Sequence, residues 1–119
     1  MVRLISFDID GTLEIGDPPG VVTMAAVRRA IELGMLVGSC SDRPVSYQQE
    51  LWSRHNVDVH FTVVKMGLKV VKTQFDADHY LHIGDTPVDQ MVAEEAGFDF
   101  LHVVDDDIEA FLLENQLWE

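Results

Sequence analysis

Leu4-Ile5-Ser6-Phe7-Asp8-Ile9-Asp10-Gly11-Thr12-Leu13 is an apolar run that ends in two carboxylates and a turn. The apolar part has the length of a buried strand, and Gly11 and Thr12 turn the backbone away from it. In an open α/β sheet, ligands bind beyond the carboxyl ends of the strands. Asp8 and Asp10 are therefore expected at the mouth of a site, pointing roughly the same way. Such a pair can hold a hard cation. It can also divide labour, one carboxylate attacking an electrophile while its neighbour, with a pKa raised by the shared site, handles a proton. Alone, an Asp-x-Asp would do no more than cap a strand, so the rest of the chain decides its meaning.

Outward from this stretch, apolar runs of strand length alternate with longer segments of helical period, the pattern of repeated βαβ units around a parallel sheet. Strands are expected near 3–8, 35–40, 59–64, 80–84 and 98–103. The first helix has Thr23 as cap, Met24, Val27 and Ile31 on one face, and Gly34 as stop. Further helices are expected over 46–55, 67–74, 87–96, closed by Gly97, and 108–115. The fold so read is α/β, a three-layer Rossmann-like arrangement of a five-stranded parallel sheet in one domain over 1–119. The only clear loop cluster is Gly16-Asp17-Pro18-Pro19-Gly20, and no repeat or low-complexity segment interrupts the chain.

At 119 residues and 47% hydrophobic content, there is enough chain for one core and not for a second domain. Twenty-one acidic against eight basic residues give a net charge of −13, which repels nucleic acid and anionic membrane and favours a divalent cation. No run approaches the ~20 residues of a membrane helix, and the single Cys40, in an apolar setting, suits a reducing compartment. A cytoplasmic protein with no membrane partner is expected. The five His form no metal pattern: His79 and His82 fall on opposite faces of a strand and read as structural. Trp52 and Trp118 read as packing or interface residues.

A second strong signal is Gly84-Asp85-Thr86-Pro87-Val88-Asp89, which ends one strand and opens a helix. Asp85 should emerge at the same sheet edge as Asp8, with Asp89 one helical turn further on. Carboxylates meeting there repel unless a cation sits among them, and hard oxygen ligands suit Mg²⁺. Thr86 as cap, Pro87 at the first helical position and Asp89 in the first turn would also start a helix unaided, so for Asp89 both readings stand. Ser41-Asp42-Arg43-Pro44 follows the second strand and Lys65 the third. Arg43 could reach a phosphate bidentately or simply be solvated. Lys65, Lys69 and Lys72 share a helical spacing whose plainest meaning is a solvated face.

Asp8-Ile9-Asp10-Gly11-Thr12 resembles the first motif of the haloacid dehalogenase superfamily, and later motifs of that family follow in order along nearly the whole chain. The resemblance implies a magnesium-dependent phosphatase in which Asp8 is the nucleophile and Asp10 the general acid/base. Members that cleave carbon–halogen bonds differ at the position of Asp10, so phosphoryl chemistry is implied. Gly84-Asp85 with Asp89 resembles the fourth motif. It implies Mg²⁺ held by Asp8, the Asp10 backbone carbonyl and Asp85, with Asp89 acting through water. Ser41 matches the residue that grips the phosphoryl oxygens, Asp42 standing where the family has glycine and Ser39 being the alternative. Lys65 matches the charge-neutralising lysine, although Met66 replaces the usual proline and Lys69 is the alternative.

No insertion follows the first motif or the third strand, so no cap domain is expected and the site should be open. It would suit a large phosphorylated substrate, or a small one walled in by a second copy in a homo-oligomer. Phe111-Leu112-Leu113 and Leu117-Trp118 could supply that interface or pack on the sheet. Two rivals remain: a receiver-type phospho-accepting module, whose aspartate would follow the third strand where Lys65 stands, and a catalytically silent binding protein that keeps the fold.

Overall fold

The computed structural model describes residues 2–106 and 108–117; Trp118 lies outside them. Five strands are joined by helices: β1 (Arg3–Phe7), α1 (Met24–Glu32), β2 (Leu36–Ser41), α2 (Val45–Arg54), β3 (Phe61–Val64), a 3-10 turn (Lys65–Gly67), α3 (Leu68–Gln74), β4 (His79–Gly84), α4 (Pro87–Ala96), β5 (Asp99–His102) and α5 (Ile108–Glu114). The sheet is parallel throughout, in the order β3-β2-β1-β4-β5. Such a sheet is buried on both faces, and β1 shows it in its sequence. Ile5 and Phe7 pack with Val27 of α1, Trp52 of α2 and Leu112 of α5, whereas Leu4 packs on the opposite face with Leu68 and Val71 of α3 and Val92 of α4. The expected three-layer α/β fold is therefore present, and among the described residues no cap domain is inserted. No helix is long and apolar enough to cross a membrane.

Element ends follow local chemistry. The Thr23 hydroxyl accepts from the Ala26 amide at 3.1 Å and starts α1, and Gly34 follows it at φ +87°. Pro87 opens α4 at its first turn, and left-handed Gly97 closes it. Strand bounds shift by a residue or two from expectation because the ladders decide them. β3 pairs with β2 only from Gly38↔Phe61 to Ser41↔Val64, so Val59 lies before the strand and Ser41 is the last residue of β2 rather than the first beyond it. The helix expected over 67–74 begins as the 3-10 turn Lys65–Gly67. Of the carboxy-terminal apolar residues, Leu112 and Leu117 are 2% exposed and belong to the core, and Phe111 packs against it, as the second of the two alternatives has it, while Leu113 stays outside.

The sheet order reverses at β1. From there the chain winds outward through β2 and β3, then crosses back to β4, leaving a crevice between the carboxyl ends of β1 and β4. Phe7 is in register with Ile83, and the Asp8 amide still donates to the Ile83 carbonyl at 2.9 Å. The residues just beyond these two strands are thereby held at one level.

On the α2 side, Trp52 is 2% exposed and its indole Nε1 donates to Ser39 Oγ at 3.0 Å. Trp52→Ala should cost about 3–5 kcal/mol of unfolding free energy, measured by urea denaturation. A loss below about 1 kcal/mol would mean that this layer does not hold the sheet as described.

Candidate active site

Asp8 follows β1 and Asp85 follows β4, so the two face each other across the crevice. Asp89 reaches the same place from the first turn of α4. One oxygen from each of these three carboxylates lies within 4.8 Å of the others. Glycines make the approach possible: Gly11, at φ +76°, stands where a Cβ would collide with the Asp85 carboxylate, and a Cβ at Gly84 would run into that of Asp89.

Asp89 is wholly buried and fully partnered. Its Oδ1 lies 3.0 Å from His82 Nε2 and 3.3 Å from Lys65 Nζ. Its Oδ2 accepts from the Thr86 amide at 3.2 Å and the Thr86 hydroxyl at 2.8 Å. The Thr86 hydroxyl in turn accepts from the Asp89 amide at 3.2 Å, which completes a capping box. The helix-start reading of Asp89 and its membership of the carboxylate cluster therefore hold together. Burial pushes the Asp89 carboxyl up, but the bonds from His82 and Thr86, reinforced by the charges of His82 and Lys65, outweigh it and bring it down to about 2. Burial pulls the Lys65 ammonium down, while Asp89, Asp8 and Asp42 more than restore it and leave it raised.

Asp8 has the opposite balance. It is 5% exposed, and burial first, then the charge of Asp89, push its carboxyl up to about 8, with Lys65 only partly compensating. Asp85 Oδ1 is buried with no hydrogen-bond partner among the described residues. An orphaned carboxylate oxygen beside a carboxylate this reluctant to ionise is what a missing positive charge would leave, and the donor set is all hard oxygen. Asp8 and Asp85 fit a hard divalent cation. The oxygens of Asp89 are already taken by donors, so its contribution to a cation would be mainly charge.

Asp10 does not join this cluster. Its carboxylate turns to the rim, where Oδ1 accepts from the Asp17 amide at 2.9 Å and Oδ2 from Arg43 Nε at 2.8 Å. Arg43, for which simple solvation was one expectation, is instead paired, with its guanidinium carbon 4.9 Å over the Tyr47 ring. Ser41 is 1% exposed at the end of β2, its hydroxyl accepting the Arg43 amide at 3.1 Å. The hydroxyl of Ser39, the alternative, is turned into the core, where it donates to Gln48 Oε1 at 2.6 Å and accepts from Trp52 at 3.0 Å. Lys65 leaves the solvated lysine face and is 9% exposed, pointing at Asp89; exposed Lys69 does not share this place.

Three contributors escaped the sequence reading. His82 lies between Ser6 Oγ, 3.0 Å from Nδ1, and Asp89, and the carboxylate marks Nε2 as the protonated nitrogen. Gln48 is buried and donates to the carbonyls of Arg43 at 2.8 Å and Val63 at 3.0 Å, which ties the loop after β2 to the end of β3. Ser6 is the third. A polar residue inside an otherwise apolar strand was the available signal for Ser6 and His82. Cys40 is buried, and burial first, then Asp89, push its thiol up to about 12, so it is no nucleophile.

No protein-family model matches this chain, and neither a curated protein nor a solved structure does. What the site does is therefore argued from its own residues.

The raised Asp8 carboxyl carries a signed prediction. Between the unfolded value near 3.8 and about 8, the folded protein holds a proton at Asp8 that the unfolded chain has lost, so stability falls as pH rises through that window. In EDTA, wild type should lose stability from pH 5 to 7.5 with a slope steeper than that of Asp8→Asn by up to about 1.4 kcal/mol per pH unit. Parallel slopes in urea denaturation would show that Asp8 ionises freely.

Proposed function

We propose that this chain is a magnesium-dependent phosphomonoester hydrolase of the haloacid dehalogenase type, working through an aspartyl phosphate on Asp8. The observation that carries the reading is the meeting of Asp8, Asp85 with its unpartnered oxygen, and the ammonium of Lys65 around Asp89 at the crevice between β1 and β4. One unpartnered carboxylate oxygen and a carboxyl raised by burial, beside a fixed ammonium, make a site for a doubly charged anion that arrives with a metal ion. Held by Asp8 and Asp85, with the charge of Asp89 beside them, Mg²⁺ would supply positive charge against the phosphoryl oxygens and keep Asp8 ionised.

In this reading Lys65 faces the transferring group from the end of β3, and the Ser41 hydroxyl and the nearby amides of its loop hold the phosphoryl oxygens. An Asp8 carboxylate oxygen forms a bond to phosphorus in line as the ester P–O bond breaks. Asp10 gives its proton to the departing oxygen, then takes one from the water that attacks the aspartyl phosphate, which restores Asp8 and releases phosphate. Its carboxylate must first turn inward from Arg43 and the Asp17 amide. Asp10 is also what separates a hydrolase from a phospho-accepting module, which would stop at the phosphorylated aspartate. With no cap among the described residues the site opens to water, so we take the substrate to be a macromolecular phosphate or a small one enclosed by a second copy of the chain. The lone buried Cys40 and acidic surface suit the cytoplasm, with no role for nucleic acid.

The test is turnover of p-nitrophenyl phosphate with and without Mg²⁺. Wild type should be active with the metal and silent in EDTA, and Asp8→Asn should lose at least about a hundredfold, some 3 kcal/mol in barrier. Undiminished hydrolysis after chelation, or an Asp8→Asn variant within tenfold of wild type, would sink the proposal. Lys65→Met should also lose activity while leaving Asp89 with a buried charge short of one partner, so its melting temperature should fall as well.

A further inference from the structure

Arg43 is a rim cation whose place is fixed from inside the protein. Its amide donates to Ser41 Oγ at 3.1 Å, and its carbonyl accepts from the side chain of fully buried Gln48 at 2.8 Å. Gln48 is itself held by Ser39 and the Val63 carbonyl. Backbone pinned this way, two residues from Ser41, aims the side chain across the site's edge rather than leaving it to wander. The guanidinium then lies between Asp10, bonded to Nε, and the Tyr47 ring, with its side chain 38% exposed. A guanidinium carries five N–H donors, and only Nε has a partner among the described residues. The two terminal nitrogens form an open planar fork, the geometry that grips a carboxylate or phosphate through two parallel bonds.

Asp10 and Asp17 act on Arg43 as well, but the other flanks of the site offer an anion no guanidinium. On the far rim, a cleft of about 360 Å³ beside Gly11 is lined by Val21 and Val104 together with Asp106 and Glu109, which repel an anion. On the α3–α4 flank, Lys65, Lys69 and Glu95 line a crevice of only about 30 Å³.

From this geometry we infer that Arg43, held against Tyr47 and paired with Asp10 only until Asp10 turns to the reacting group, is a second anion subsite, so that the substrates of the site are phosphomonoesters bearing a further carboxylate or phosphate. The inference rests on the phosphatase reading for the words "substrate" and "phosphomonoester", while the subsite itself can be tested by binding alone. Phosphonates serve as probes because they cannot be turned over. In titration calorimetry with Mg²⁺ present, wild type should bind 3-phosphonopropionate about tenfold or more tightly than propylphosphonate, which has the same length without the second anion. Arg43→Gln should bind the two alike, and Arg43→Lys, with charge but no fork, should keep only part of the preference. Circular dichroism and melting confirm that each variant is folded; if Arg43→Gln is not, the wild-type preference and its reduction in Arg43→Lys decide.

A wild type indifferent to the second anion, or a folded Arg43→Gln that keeps the full preference, would overturn the subsite. The two readings fail differently. Selective binding of 3-phosphonopropionate by a protein that hydrolyses no phosphomonoester would remove the phosphatase and leave the subsite standing. Hydrolysis of p-nitrophenyl phosphate without any preference between the probes would do the reverse. Substituting a carboxyphosphonate by its bisphosphonate counterpart of equal length then tells whether carboxylate or phosphate is the better second anion.

Discussion

A carboxylate with no exposed surface, Asp89, has to be reconciled with its charge, and the way this is done organises the molecule beyond the carboxyl ends of β1 and β4. An ionised carboxylate is costly to bury unless every lone pair finds a donor. Here the donors come from different parts of the chain: Thr86 at the start of α4, His82 inside β4, and Lys65 beyond β3. His82 extends the connection to Ser6 within β1. One charge thus ties together the central strand, its neighbour, a helix start and the only buried ammonium among the described residues, and a change at any of these would leave the others under-partnered.

The same arrangement leaves a deficit next door. Lys65 is one positive charge among Asp8, Asp85 and Asp89, with Asp42 on its outer side at 3.5 Å. Asp89 takes the larger share, having the bonds from His82 and Thr86, whereas at Asp8 burial and the charge of Asp89, with a side-chain hydrogen bond to Asp85, outweigh Lys65 and the Ile9 amide. Two neighbouring carboxyls displaced in opposite directions are what the proposed division of roles requires. The unpartnered oxygen of Asp85 points the same way. In the proposed chemistry a metal ion and a phosphoryl group complete this balance together.

Much of the fold is legible in the sequence because each layer is written in its own period. The β1 residues alternate between the two faces, and Thr23, Gly34, Thr86, Pro87 and Gly97 stand at helix ends for reasons of backbone chemistry alone. The meeting of Asp8 and Asp85 was legible because both follow adjacent parallel strands at the place where winding reverses. Side-chain direction was not. Asp10 and Asp8 share a local motif, yet Asp10 turns to Arg43, thirty-three positions away, and no local pattern announces such a pair. Lys65, Lys69 and Lys72 have one spacing on paper, but a 3-10 turn places Lys65 inside while Lys69 stays outside. Ser39 and Ser41 differ only in what α2 brings to them, and Gln48 and His82 gain their meaning from partners distant in sequence.

The central claim is that phosphorus becomes bonded to Asp8. Its most direct test is to quench the protein in acid during turnover with Mg²⁺, reduce the trapped acyl phosphate with borohydride, and map the peptides by mass spectrometry. The account predicts homoserine at position 8, formed only when substrate and metal are both present. Phosphate released while Asp8 stays unmodified, or an acyl phosphate trapped on any other carboxylate, would contradict it.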